Sequence, residues 1–201
     1  MAVHALVRQL AVGIEVHVAG RLAGRRLPVV ERCDGAILET DHHEAAAADV
    51  ARFGVGHREG ESDGHRSVDG ILGYVLRLGA LVGASAAAAA LVEQMQRRIE
   101  AMRSASGEAA VRPRVYFEEW DMPRISAIRW VSELISIAGG DDIFPERAMQ
   151  PLGRDRIIAD DAAIIERAPD IIIGSWCGKK FRPEKVAARP GWGQVNAVKN
   201  G

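Results

Sequence analysis

Residues 66–201 contain no histidine, and residues 1–65 contain no tryptophan. All six histidines lie in the first stretch, and all four tryptophans, Trp120, Trp130, Trp176 and Trp192, in the second. The two ends therefore do not read as parts of one evenly built protein. Cysteine is scarce as well. Cys33 and Cys177 allow one bridge at most, which excludes a disulfide framework and leaves open whether the two thiols meet. No apolar run reaches the ~18 residues of a membrane span. A net charge of −1 gives no field that would gather nucleic acid or an anionic membrane. The opening MAVHALVRQLAVGIEVHVAG is interrupted by Arg8, Glu15 and two histidines, so it does not read as a signal peptide. Taken literally, such a chain stays in the cytoplasm. Its 201 residues suffice for one large domain or two small lobes with a real core.

What is present gains order at Ser67. Residues 1–66 form a poorly specified segment that reads as aberrant. In it VGIEVHV alternates enough for a strand, AGRLAGRR breaks it, and GVGHREGESDGHR is loop-like. Residues 67–84 hold a helix capped by Ser67, with Val68, Ile71, Leu72, Val75, Leu76 and Leu78 on one side. Residues 85–105 read as one long helix in which Leu91, Val92, Met95 and Ile99 are apolar at helical spacing. After the linker SASGEAAVRP, residues 114–201 alternate strand and helix. The spacing predicts a strand over 114–119 and a helix over 126–138 closed by Gly139-Gly140. A helix started by Asp160 follows, then an apolar strand over 170–174 and a short helix from Pro183. The fold class is α/β, with a Rossmann-like lobe built on a parallel sheet and right-handed crossovers. Ligands of such sheets bind outside the carboxyl ends of the strands. Those ends carry Glu118-Glu119-Trp120 and Ser175-Trp176-Cys177.

The residues at these ends have bland and functional readings side by side. Trp120 and Trp176 offer flat apolar faces to a ligand, or simply pack a core. Trp130, inside a helix, reads as core, and Trp192 as packing or rim. Glu118 and Glu119 are adjacent on a strand and point to opposite faces, so they do not form an acid/base pair without a bend. One accepts hydrogen bonds from a ligand, and the other is solvated or paired with an arginine. Ser126 supplies a polar contact or only a helix N-cap. Ser175, Cys177, Gly178 and Lys179 form a loop of little bulk whose N–H groups and ammonium can hold polar ligand groups, amides or a phosphate. GSWCGKK is not a P-loop, because the glycine spacing is wrong and Lys180 stands where Ser or Thr is needed. Cys177 has no histidine in residues 66–201 to activate it as a nucleophile. His42-His43-Glu44 lacks the spacing of a zinc protease. No catalytic residues and no metal site are expected.

The motifs YFEEWDMP, IRWVSELI, IAGG, APDIIIGSWCGKKF and VAARPGW resemble those of cobalamin-binding, substrate-binding proteins of ABC transporters. These have two lobes joined by one long rigid helix. The resemblance covers about Ser67 to Asn200. It implies that residues 67–84 belong to the N-terminal lobe, 85–105 are the connecting helix, and 114–201 are a truncated C-terminal lobe. It implies a monomer that grips cobalamin or a related corrinoid non-covalently between its lobes and hands it to an ABC permease, in the periplasm. The corrinoid is then cargo, not a cofactor. Glu118, Trp120, Ser126, Ser175, Trp176, Cys177, Gly178 and Lys179 are the implied ligand contacts. Asp160 and Asp161 mark the implied permease-docking position, although Ala162 aligns with the docking acid. The family's opening strand–helix unit is not found in residues 1–65, and its last strand and helices would follow Gly201. A shifted reading frame and a truncated end would account for both. Alternatives are haem or iron–siderophore binding, intracellular corrinoid handling, and a fragment that binds nothing.

Overall fold

The run RVYFEEWD forms the central strand β3 (Arg114–Asp121) of the computed structural model, which describes residues 17–22, 25–26, 66–107, 111–176 and 179–200. Strand β6 (Ile171–Gly174) lies parallel along one edge of β3, with Val115 opposite Ile171 and Glu118 opposite Gly174. The other edge is shared. β5 (Asp141–Asp142) pairs in parallel with the start of β3, and β4 (Arg124–Ser126) pairs antiparallel with its end. On the far side of β6 runs β1 (His17–Leu22), antiparallel, followed by β2 (Arg25–Arg26). The sheet order is β2-β1-β6-β3-β4, with β5 beside β3. The expected parallel sheet is thus the centre of a mixed one. The segment AGRLAGRR, expected to break a strand, supplies most of β1 and all of β2. The free edge of β6 satisfies backbone groups there that the local sequence does not commit to a strand.

Side-chain alternation decides what covers each face. Val115 and Phe117 of β3, with Ile171 and Ile173 of β6, point to one face. Tyr116 and Ile172 point to the other. Helix α3 (Arg129–Ile137) covers the first face with Val131 and Ile135, and the short helix α4 (Pro145–Ala148) follows β5. The second is covered by α5 (Asp161–Glu166), α6 (Pro183–Ala187), the 3-10 turn Trp192–Gln194 and α7 (Asn196–Lys199), through Ile164, Val186, Trp192 and Ala197. All three β6 isoleucines are at most 1% exposed. Each such burial stabilises the fold by about 1.5–3 kcal/mol before entropy is counted. This is why the β6 sequence is a continuous apolar run and not an alternating one.

Two local starts differ in outcome. Asp160 caps α5 as expected, its carboxylate accepting from the Ala162 N–H at 2.8 Å. The helix expected from Ser126 starts instead at Arg129, because Met122 and Pro123 turn the chain back and pair residues 124–126 with β3. Ser126 is therefore a sheet residue and not an N-cap. Gly139 closes α3 at φ 83°, the left-handed geometry glycine tolerates. Arg112 binds the Gly140 carbonyl at 2.7 Å and Asp141 at 2.7 Å, placing a cation beside that helix end.

The chain divides into two compact units, residues 1–35 with 102–201, and residues 36–101. The second contains α1 (Val68–Leu81), capped by Ser67, and most of α2 (Ser85–Ser106). Val92 is buried on α2, whereas Leu91 is 46% exposed and does not share the apolar side expected of it. Among the described residues, no helix is long and apolar enough to cross a membrane. Cys33 and His42-His43-Glu44 lie outside the described residues.

One contact fixes how the chain leaves β6. A Cβ at Gly174 would sit 1.8 Å from Phe181 Cδ2, so the Phe181 ring rests directly on the backbone of the last β6 residue. Gly174→Ala is expected to cost about 2–3 kcal/mol by overpacking, and Phe181→Leu in the same chain to recover part of it. A urea denaturation midpoint for Gly174→Ala equal to that of the unmodified chain would disprove this packing.

Candidate functional site

Glu118 stands at the centre of the carboxyl end of the sheet. It is 0% exposed, yet it lies in a strand whose neighbours are apolar. Burying a carboxylate is costly unless it is paired and hydrogen-bonded. Here Arg189, just after α6, donates to both oxygens at 2.7 and 2.8 Å. The Tyr116 hydroxyl donates at 3.0 Å, and the Trp176 indole N–H at 3.0 Å. These donors fill the roughly four acceptor positions of a carboxylate. Glu118 thus has nothing left to offer a ligand, and its place is behind the site. Burial would lower the Arg189 pKa, but the Glu118 carboxylate outweighs it and holds the guanidinium charged. Burial, reinforced by Glu118, holds the Tyr116 phenol well above its usual value of 10.0.

Residues 174–176 and 179–181 are held at three points near the end of β6. Phe181 rests on Gly174 and meets Trp176 edge-on at 4.9 Å. Trp176 is tied to Glu118 and only 7% exposed, so its ring is interior packing. Lys179 reaches across to Asp121 at 2.9 Å, with its ammonium 4.0 Å from the centre of the Trp120 ring. Partial burial would raise the Asp121 carboxyl, but the Lys179 hydrogen bond and charge outweigh it and lower it. Trp120 is half-buried, and its indole N–H donates to the Met122 carbonyl at 3.0 Å, which fixes the ring plane. Ser175 is half-buried, its backbone N–H donating to the Glu118 carbonyl at 3.0 Å. Cys177 and Gly178 lie outside the described residues.

Glu119 faces away from Glu118, as alternation requires, at an irregularity in the β3–β4 register. It pairs with the buried Arg156 at 2.6 Å. Ser126 is 1% exposed and donates to the Arg156 carbonyl at 3.2 Å, so it braces this second ion pair and does not face the loop. Asp161 is also engaged, by Arg124 at 2.8 Å and the Trp192 indole at 2.9 Å, whereas Asp160 is exposed at the start of α5. The residues brought together at the loop are thus Trp120, Ser175, Trp176 and Lys179, with Glu118 beneath. Arg189, Tyr116 and Asp121 are structural partners that motif reading passes over. The signal for the first was present, since a glutamate inside an apolar strand requires a cation elsewhere in the chain. Among the described residues, no group of three or more histidine, cysteine, aspartate or glutamate side chains could hold a metal ion. An apolar cleft of about 190 Å³ lined by Ile172, Phe181, Val186 and Ala197 is too small for a drug-sized ligand.

The family model for periplasmic binding proteins matches residues 57–201. Among solved structures, the chain is similar to a possible iron-binding (periplasmic solute-binding) protein from Staphylococcus epidermidis ATCC 12228, at 20% identity and a TM-score of 0.54, over 67% of this chain and 52% of that one. It is similar to an ABC transporter substrate-binding protein from Listeria monocytogenes EGD-e at 18% identity and a TM-score of 0.55, over 67% and 53%. It is also similar to S. aureus IsdE complexed with heme, at 19% identity and a TM-score of 0.52, over 67% and 54%. The chain spans about half the length of these structures, and at such identities they establish the fold alone. No curated protein matches.

Two measurements test the Glu118 network. Glu118→Ala leaves Arg189 buried without its partner and is expected to cost about 3–5 kcal/mol, with the paired replacement of Glu118 and Arg189 by methionine far less damaging. Equal losses in the single and paired variants by urea denaturation would dismiss the ion pair as the source. The second concerns alkali. A phenol whose pKa is higher folded than unfolded stabilises the fold below the unfolded value and loses that contribution as pH rises through the folded one. Stability should therefore fall above about pH 10, and less steeply in Tyr116→Phe; parallel pH profiles would contradict the raised phenol.

Proposed function

The chain belongs to the periplasmic binding protein family, and on that premise we propose that it is the ligand-capturing component of an ABC importer. Its cargo is a corrinoid such as cobalamin, held non-covalently and passed to a permease outside the cytoplasmic membrane. No bond is broken, and the corrinoid is cargo and not a cofactor. One observation carries the reading: a flat indole, Trp120, is locked by its N–H beside a three-point anchored loop at the carboxyl ends of β3 and β6. A rigid apolar face edged by polar groups suits a broad disc with polar substituents. In this reading Trp120 meets the macrocycle, and Ser175 to Lys179, including Cys177 and Gly178, line its edge. Glu118, Ser126 and Trp176 act from behind, holding that surface in place. Asp160, exposed at the start of α5, is the better placed of the two acids to meet a permease, since Asp161 is engaged inward. A monomer suffices for this role. The resemblance of its motifs to those of cobalamin-binding proteins favours the corrinoid over other macrocycles.

Haem is the second reading, favoured by the fold shared with S. aureus IsdE complexed with heme. It is less well supported by the residues present, because only two tyrosines, Tyr74 and Tyr116, could offer a phenol to iron, and the Tyr116 hydroxyl is buried against Glu118.

Calorimetric titration of the chain with cyanocobalamin, and separately with haemin, is expected to give saturable one-to-one binding of the corrinoid. Trp120→Ala should weaken it by about thirtyfold, as loss of a rigid aromatic anchor does. Trp176→Phe, which keeps a ring but removes the N–H to Glu118, should weaken it less. Haemin binding without corrinoid binding would replace the first reading with the second. A folded chain that takes up neither would defeat both.

A further inference from the structure

The geometry points to Lys179 as the residue that sets ligand specificity, by reading an anionic group at the rim of a flat macrocycle. This inference rests on the macrocycle reading above and says which macrocycles the site prefers. The Lys179 ammonium sits over the same Trp120 ring that the macrocycle would use, 4.0 Å from its centre. The ring is biased to its present orientation by its N–H bond to the Met122 carbonyl. The lysine stem, by contrast, is able to swing. Its backbone N–H is fixed to the Trp176 carbonyl at 3.0 Å, but the side chain is 47% exposed and flexible along its four-carbon stem. A disc that packs on that face of Trp120 must therefore move the ammonium off it.

That movement breaks the cation–π attraction, and something has to take its place. Asp121 holds the ammonium on one side at 2.9 Å and remains a partner after the swing. A ligand with a neutral rim offers nothing further, so its binding bears the whole cost. A phosphate or carboxylate at the rim substitutes a charge-assisted hydrogen bond. The next residue, Lys180, is also exposed and adds positive charge to the same loop. The chemistry selected is thus an anion beside a flat ring. Two sources provide it, the phosphodiester in the nucleotide loop of a cobalamin and the propionates of a haem.

The test compares four ligands by calorimetry: cyanocobalamin against dicyanocobinamide, which lacks the nucleotide loop with its phosphodiester, and haemin against its dimethyl ester. The unmodified chain should prefer cyanocobalamin over dicyanocobinamide by up to about fivefold, the scale of one partly exposed charge pair. K179Q should bring that ratio close to one, K179R should keep it, and D121N, which frees the ammonium, should widen it. A ratio unchanged in K179Q, or an equal loss for both corrinoids, overturns this inference and leaves the corrinoid reading intact. If neither corrinoid binds but haemin outbinds its ester in a Lys179-dependent way, the corrinoid reading falls and the role of Lys179 stands. A folded chain that binds none of the four overturns both.

Discussion

One carboxylate organises the functional end of this lobe. Glu118 sits in the middle strand with no access to water, and the fold answers with donors from three separate places. Tyr116 comes from the same strand, Trp176 from the exit of β6, and Arg189 from beyond α6. An ion pair so buried adds little net stability compared with apolar packing, because desolvation offsets most of its attraction. Its effect lies in what it forbids. If β6 slipped by one residue against β3, or the exit of α6 moved, a charge would be left unpaired inside the protein. The pair therefore fixes the relative position of β3, the exit of β6 and the segment after α6.

That fixation explains the division of labour around the loop. Trp176 is immobilised from below, Phe181 closes on the backbone of Gly174, and the outer layer of Trp120, Asp121 and Lys179 remains half exposed. A rigid inner layer leaves little besides the Lys179 side chain to rearrange at the moment of binding, which lowers the entropic cost of capture. The second pair, half-exposed Glu119 with the buried Arg156, does the same for the β3–β4 turn, with Ser126 bracing its backbone. Adjacent glutamates on one strand thus anchor the two faces of the sheet separately.

Much of this architecture was legible in the sequence. Strong local signals, the Ser67 and Asp160 caps, the Gly139 stop, Pro183 at a helix start and the isoleucine run, mark elements that the structure contains. The departures share a cause. Residues 124–126, 19–22 and 25–26 become strands through pairing with other segments, and local pattern carries no trace of that pairing. The tryptophans were legible as a group, but their roles were not. Trp192 and Trp176 are buried and Trp120 is not, a distinction set by which ring finds Glu118 or Asp161. Long-range polar pairing is the information a single sequence hides best.

The antiparallel pairing of β1 with β6 bears on how this molecule is assembled. The first described strand closes the edge of the last, and the whole of the second unit is threaded between them in the chain. This pairing joins residues far apart in sequence, and its closing step must wait until β6 has been made. Until then the outer edge of three consecutive isoleucines stands open, the kind of edge that recruits other chains. The yield of correctly folded molecules should therefore depend on protein concentration and on chaperones during synthesis more than on the final stability of the lobe.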